Sequence, residues 1–147
     1  MISEISCTDH DRKYLEQSRG EEIVGEDVHV NFSRVIVKPW GHEDIIWQGK
    51  DVAVWRVFIR FGEATSLHCH PLKETMMIVL SGQAKCHTLD KAIILYPFDA
   101  VVIAKGTFHS IESLSTEGTD VIEVDSPPLL TDLVRLEDKY GRAGKPY

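Results

Sequence analysis

From Val28 to about Asp125 the chain breaks into short segments rich in Val, Ile, Phe and Trp, with Gly, Pro, Asp or Ser in most of the gaps. They are Val28–Phe32, Arg34–Lys38, Asp44–Trp47, Val52–Phe61, Ser66–His70, Met76–Leu80, Gln83–Thr88, Ala92–Leu95, Ala100–Ile103, His109–Glu112 and Asp120–Val124. A new segment begins roughly every ten residues, the cadence of an all-β sandwich or barrel. Parallel strands need a crossover of a dozen or more residues, usually a helix. No helical pattern interrupts these segments, so an antiparallel architecture is expected.

The flanks differ in texture. Residues 1–27 carry eight acids and three bases, so most of the formal charge of −7 lies in this polar leader. Within it a helix is expected from about Asp9 to Arg19. Thr8 would be the N-cap, Asp11 the reciprocal capping acid and Gly20 the C-terminal stop. At the other end Ser126-Pro127-Pro128 breaks the ladder, because proline has no N–H to give a sheet. Beyond it a short helix is expected over Thr131–Tyr140, closed by Gly141. The chain thus reads as a leader (1–27), a β-barrel (28–125) and a C-terminal extension (126–147).

A length of 147 residues suits one domain that buries roughly two-thirds of its unfolded surface without covalent staples. The three cysteines, Cys7, Cys69 and Cys86, are odd in number and lack a repeated spacing, which argues against a disulfide framework. No apolar run approaches a membrane span, and the first twenty residues have no signal-peptide layout. A cytoplasmic location is expected, with no membrane partner. An acidic chain without a basic cluster also excludes a phosphate-gripping nucleic-acid binder.

Of seven histidines, one pair is pointedly spaced: Ser66-Leu-His-Cys-His70. On a strand, alternate residues share a face, so His68 and His70 would present two imidazoles about 6–7 Å apart and leave Cys69 on the other side. Glu74, after a turn at Pro71, is a candidate third ligand. Far downstream, the segment from Asp99 ends in a turn at Gly106 followed by His109.

The arrangement of Gly62, His68, His70, Glu74 and Gly82, followed by Gly106 and His109, resembles the two motifs of the cupin superfamily. That resemblance implies a jelly-roll barrel, the double-stranded β-helix, with both histidine segments at its mouth. It implies a metal on His68, His70 and His109, with Glu74 as a fourth ligand or as the catalytic acid–base beside it. The departures are specific. Seven residues, not the family's six, separate Glu74 from Gly82, which puts Thr75 in the acid's place when counted back from the glycine. Phe98, Ala104 and Ser113 replace the second motif's usual Gly, Pro and Asn.

A mixed imidazole and carboxylate set accepts Zn, Fe, Mn, Ni or Cu without singling out one, so the cofactor expected is one divalent transition metal. Lys38-Pro-Trp-Gly-His-Glu43 and Leu133-Val-Arg-Leu-Glu-Asp-Lys-Tyr-Gly-Arg142 are similar to cupins related to type II phosphomannose isomerase and sugar-nucleotide pathways. This narrower resemblance implies a small-molecule substrate, a sugar or sugar phosphate, and a metal-dependent isomerase or epimerase. A homodimer is the assembly the superfamily implies. The alternatives are a non-haem iron dioxygenase or metal-dependent lyase on a small carboxylate or phenolic substrate, and a non-catalytic metal- or sugar-binding module.

Other residues have plainer readings. Trp40 and Trp47 are read as core, and His87 as an ordinary packed or exposed histidine. Lys73 and Lys105 are read as solvated loop lysines. Arg56 and Arg60 share a strand face that either lines the pocket or meets solvent.

Overall fold

The computed structural model describes residues 1–18 and 35–142. The expected segment Val28–Phe32 and the expected helix end at Arg19–Gly20 lie outside the described residues. Among the described residues, twelve strands and one helix follow in order: β1 (Ile2–Ile5), α1 (Asp9–Ser18), β2 (Val35–Lys38), β3 (Gly41–Gln48), β4 (Ala53–Ile59), β5 (Leu67–Cys69) and β6 (Glu74–Ser81). Then come β7 (Ala84–Thr88), β8 (Ala92–Leu95), β9 (Ala100–Ile103), β10 (His109–Ser113), β11 (Thr119–Ser126) and β12 (Val134–Glu137).

They form a seven-stranded sheet, β1-β9-β6-β11-β4-β3-β2, and a five-stranded sheet, β12-β5-β10-β7-β8. The two sheets agree with the sandwich or barrel expected from the spacing of the segments and with the jelly-roll that the cupin resemblance implied. Alternation sets the inner faces. Trp55, Val57 and Ile59 on β4, Met77 and Val79 on β6 and Val121 on β11 are buried with Ala84, Cys86, Leu95 and Ile111 from the other sheet, in one apolar cluster. Apolar burial contributes about 25 cal/mol per Å², so this inner face is what holds the sheets together. Among the described residues, no helix is long and apolar enough to cross a membrane.

The N-terminal segment carries a strand as well as the expected helix. β1 pairs in parallel with the edge strand β9, Ile2 opposite Ala100 and Ile5 opposite Ile103. An edge strand presents unpaired backbone groups, and the alternating Ile2-Ser-Glu-Ile5 supplies partners for them. Helix α1 starts as expected. Thr8 Oγ1 accepts the Asp11 N–H at 3.3 Å, and Asp11 Oδ2 accepts the Thr8 N–H at 2.8 Å. The other oxygen of Asp11 accepts the Phe108 N–H at 2.8 Å, which ties the helix to the residue before His109.

The helix expected over Thr131–Tyr140 is absent, and β12 stands there instead. Val134 lies opposite Cys69, and Arg135 opposite His68. Local helical spacing lost to the open edge of β5, whose backbone groups this segment satisfies. Trp40 is buried as expected, but Trp47 is 54% exposed. A register shift between Ile45 and Trp47 turns the indole outward, where it lies over Gly49.

A second register shift explains the spacing anomaly near Gly82. Val121 pairs with Val79 and Asp120 with Ser81, which leaves Leu80 as an unpaired extra residue in β6. Such a bulge exchanges the faces of all residues beyond it. Thr75, Met77 and Val79 therefore point inward, and Glu74 points out.

Gly82 closes this strand with φ +79°, and a Cβ there would stand 2.4 Å from the Gly118 carbonyl oxygen. Gly82→Ala is expected to cost about 2 kcal/mol or more. Its thermal midpoint should fall by roughly 5 °C or more, as differential scanning calorimetry would show.

Candidate metal centre

His68 on β5 lies directly opposite His109 on β10 in the antiparallel ladder, and His70 follows β5 in the turn toward β6. The ring centroids are 4.5 Å apart for His68 and His109, 4.9 Å for His68 and His70, and 5.5 Å for His70 and His109. One ring nitrogen from each lies within 4.8 Å of the others.

The backbone decides which nitrogen faces inward. His68 Nδ1 is 2.8 Å from the Ser66 carbonyl, His70 Nδ1 is 2.5 Å from that of Asp132, and His109 Nδ1 is 3.0 Å from that of Thr107. A carbonyl oxygen only accepts, so each Nδ1 carries the proton and each Nε2 keeps a lone pair. This is the arrangement that orients metal-binding imidazoles. His109 Nε2 is buried with no hydrogen-bond partner. Burial also disfavours the imidazolium form, holding His68 and His70 well below the usual histidine range and His109 down at about 4. Three neutral imidazoles with converging lone pairs fit a divalent transition metal. This group can hold such an ion, and its donors leave the choice of metal open.

Glu74, the expected fourth ligand or acid–base, is exposed at the start of β6 and does not line the cavity beside the histidines. The bulge at Leu80 is the reason. In its place Thr75 points inward, and its hydroxyl donates to Asp125 Oδ1 at 2.7 Å. Among the described residues no carboxylate joins the group of three imidazoles.

Four residues complete the site unexpectedly: Lys73, which was expected to be a solvated loop lysine, and Asp132, Glu123 and Asp125. Lys73 is 4% exposed, and its ammonium lies 2.6 Å from Asp125 Oδ2. Asp132 is fully buried, and one of its oxygens accepts the N–H groups of Leu72 and Lys73, each at 2.9 Å. Its carbonyl also holds His70, so one residue shapes the whole turn after β5. Glu123 and Asp125 sit at inward positions of β11, in line with Val121. Carboxyls in step with a core valine were the available signal.

The cavity above the imidazoles encloses about 560 Å³, open mouth included. Trp40, Trp55 and Leu133 form apolar wall, and four cationic side chains, Lys38, Lys73, Arg135 and Arg142, line it with three carboxyls, Glu43, Glu123 and Asp125. Lys38 lies 3.0 Å from Glu43. Arg56 is outside this cavity and pairs with Asp120 at 2.8 Å. Arg60 is exposed beside Phe61, and Lys105 is exposed. His87 is half-buried, 2.7 Å from Glu112.

Residues 25–138 match the family described as mannose-6-phosphate isomerase C-terminal. The chain belongs to that family. Mannose-1-phosphate guanylyltransferase of Escherichia coli is 30% identical over 145 residues, covering 97% of this chain and 29% of that protein. Xanthan biosynthesis protein XanB of Xanthomonas campestris is 32% identical over 111 residues, 74% of this chain and 24% of that one. This chain thus spans under a third of the length of these relatives. Among solved structures, KdgF from Halomonas sp. superposes with a TM-score of 0.58 at 24% identity, covering 62% of this chain and 83% of that one. The Lactobacillus farciminis oxalate decarboxylase formate complex gives 0.61 at 20%, covering 71% and 33%. At such identities the likeness shows the fold, that of the cupins.

Two outcomes are expected. Elemental analysis should find a divalent metal in the wild-type protein and little in a variant with Ala at positions 68, 70 and 109. The metal-free protein should lose stability as pH falls from about 6.5, where the unfolded chain's histidines take up protons, toward about 4, where folded His109 does. Stability falls over that window because the unfolded state binds more protons. Chemical denaturation across it should show a flatter profile for the triple variant.

Proposed function

We propose that this protein is a metal-dependent isomerase or epimerase of sugar phosphates, working at the three imidazoles in the barrel mouth. The observation that carries the proposal is the convergence of three imidazoles, two of which line a cavity that also carries four cationic side chains and three carboxyls. The family's name and the mannose-1-phosphate named in its relatives point to the same substrate class.

A bound metal would supply a Lewis acid for the substrate's carbonyl and hydroxyl oxygens. The rest falls to the chain. Arg135, Arg142 and Lys38 bring positive charge to the side where a phosphate would rest, Arg142 sharing its charge with Asp138 and Lys38 with Glu43. Trp40 and Trp55 offer flat apolar surface to the C–H face of a sugar ring. Burial of the imidazoles keeps bulk water from the reacting carbons. The functional unit proposed is the barrel with β12, because Arg135 enters the cavity from that strand. A homodimer, joined through a sheet, is the proposed assembly.

The test is solvent exchange. Metal-loaded protein incubated with mannose 6-phosphate in deuterium oxide should place deuterium on the carbon next to the carbonyl and form the ketose, read by NMR. Binding of the sugar phosphate with neither exchange nor conversion would instead assign a binding module. Conversion that required dioxygen would assign an oxygenase.

A further inference from the structure

The inward face of β11 carries an acid that the metal group does not use. Glu123 lies opposite Trp55 of β4 on one side and Met77 of β6 on the other. It borders both the main cavity and a smaller apolar one of about 250 Å³ behind it, and His68 lines both as well. Of the three carboxyls lining the main cavity, Glu43 is paired with Lys38 and Asp125 with Lys73. Glu123 makes no ion pair with any of the described residues. Apolar Val57, Ile59, Met77, Ile111 and Val121 line the smaller cavity with it, beside Thr65 and His68, and the Asp125 carboxyl is within hydrogen-bond reach.

Resting on the isomerase reading, we propose that Glu123 is the catalytic residue that carries the proton between the two carbons of the substrate. That is the role the cupin resemblance implied for Glu74, which points outward. The carboxylate takes the proton from the carbon bearing the hydroxyl, next to the carbonyl carbon. The C–H electron pair becomes the double bond of an enediolate, and the carbonyl oxygen takes the negative charge. The proton of the neighbouring hydroxyl passes to that oxygen as the hydroxyl's own oxygen becomes the new carbonyl. Glu123 returns the first proton to the former carbonyl carbon, so no other reactant is consumed.

The surroundings suit that role. Burial, with Asp125 nearby, holds the Glu123 carboxyl well above the ordinary carboxylate range, which makes its ionised form a stronger base than a solvated glutamate. The Lys73–Asp125 pair, buried and braced by the Thr75 hydroxyl, is the positioning element. It fixes β11 against β6 at the height of Glu123.

The experiment compares wild type with Glu123→Gln and Glu123→Asp. Metal content is read by elemental analysis, mannose 6-phosphate binding by calorimetry, and deuterium uptake by NMR. Glu123→Gln should keep its metal and bind the sugar phosphate within a few-fold of wild type, while exchange falls by about 10²–10⁴. Glu123→Asp, which retains a shorter carboxylate, should recover part of that loss. Undiminished exchange in Glu123→Gln would overturn the role while leaving the isomerase reading intact. Loss of metal from it would overturn the role as well, because the residue would then be holding the site. Absence of exchange in the wild type would overturn both.

Discussion

The centre of this molecule depends on a conflict between burial and lone pairs. Three imidazoles taken out of water are expensive as cations and cannot stay charged beside one another. Each is therefore neutral, and each has one N–H that must find an acceptor. The backbone carbonyls of Ser66, Thr107 and Asp132 provide these acceptors, so the remaining three nitrogens have no choice but to face one another. The position of the site follows from hydrogen-bond satisfaction before any ion enters the argument.

Much of the surrounding structure holds those three carbonyls in place. The Thr107 carbonyl belongs to a turn secured from outside by Asp11, which caps its own helix and also takes the Phe108 N–H. The Asp132 carbonyl belongs to a segment whose side chain gathers the backbone of Leu72 and Lys73. Segments from both flanks of the barrel thus act on the ligands at a distance. A buried carboxylate serving two N–H groups is worth more than a solvated one, since leaving those donors unpaired would cost about 1–3 kcal/mol each.

The barrel was readable because apolar runs and turn residues repeat along it, and alternation within each run selects one inward face. The three histidines were readable for a related reason, since two lie on one strand face and the third follows a turn glycine. Three features were not. β1 and β12 lie in the charged flanks and carry no apolar run to mark them, and they fill edges that neighbouring strands leave. Trp47 is outward because of a register shift that no local pattern marks. Lys73 looked like a solvated loop lysine, yet it is buried against Asp125, more than fifty positions away. That pairing is tertiary, so the sequence near Lys73 holds no trace of it.

The extra residue at Leu80 has a wider meaning for how such barrels diversify. Point substitution changes one side chain at a time, whereas a one-residue insertion inverts the orientation of a whole stretch of strand. Here it retires an acid from the interior and brings in a hydroxyl, with the histidines untouched. Lineages of this fold can therefore exchange their inner chemistry through strand length alone, and alignments that score only residue identity would miss the event.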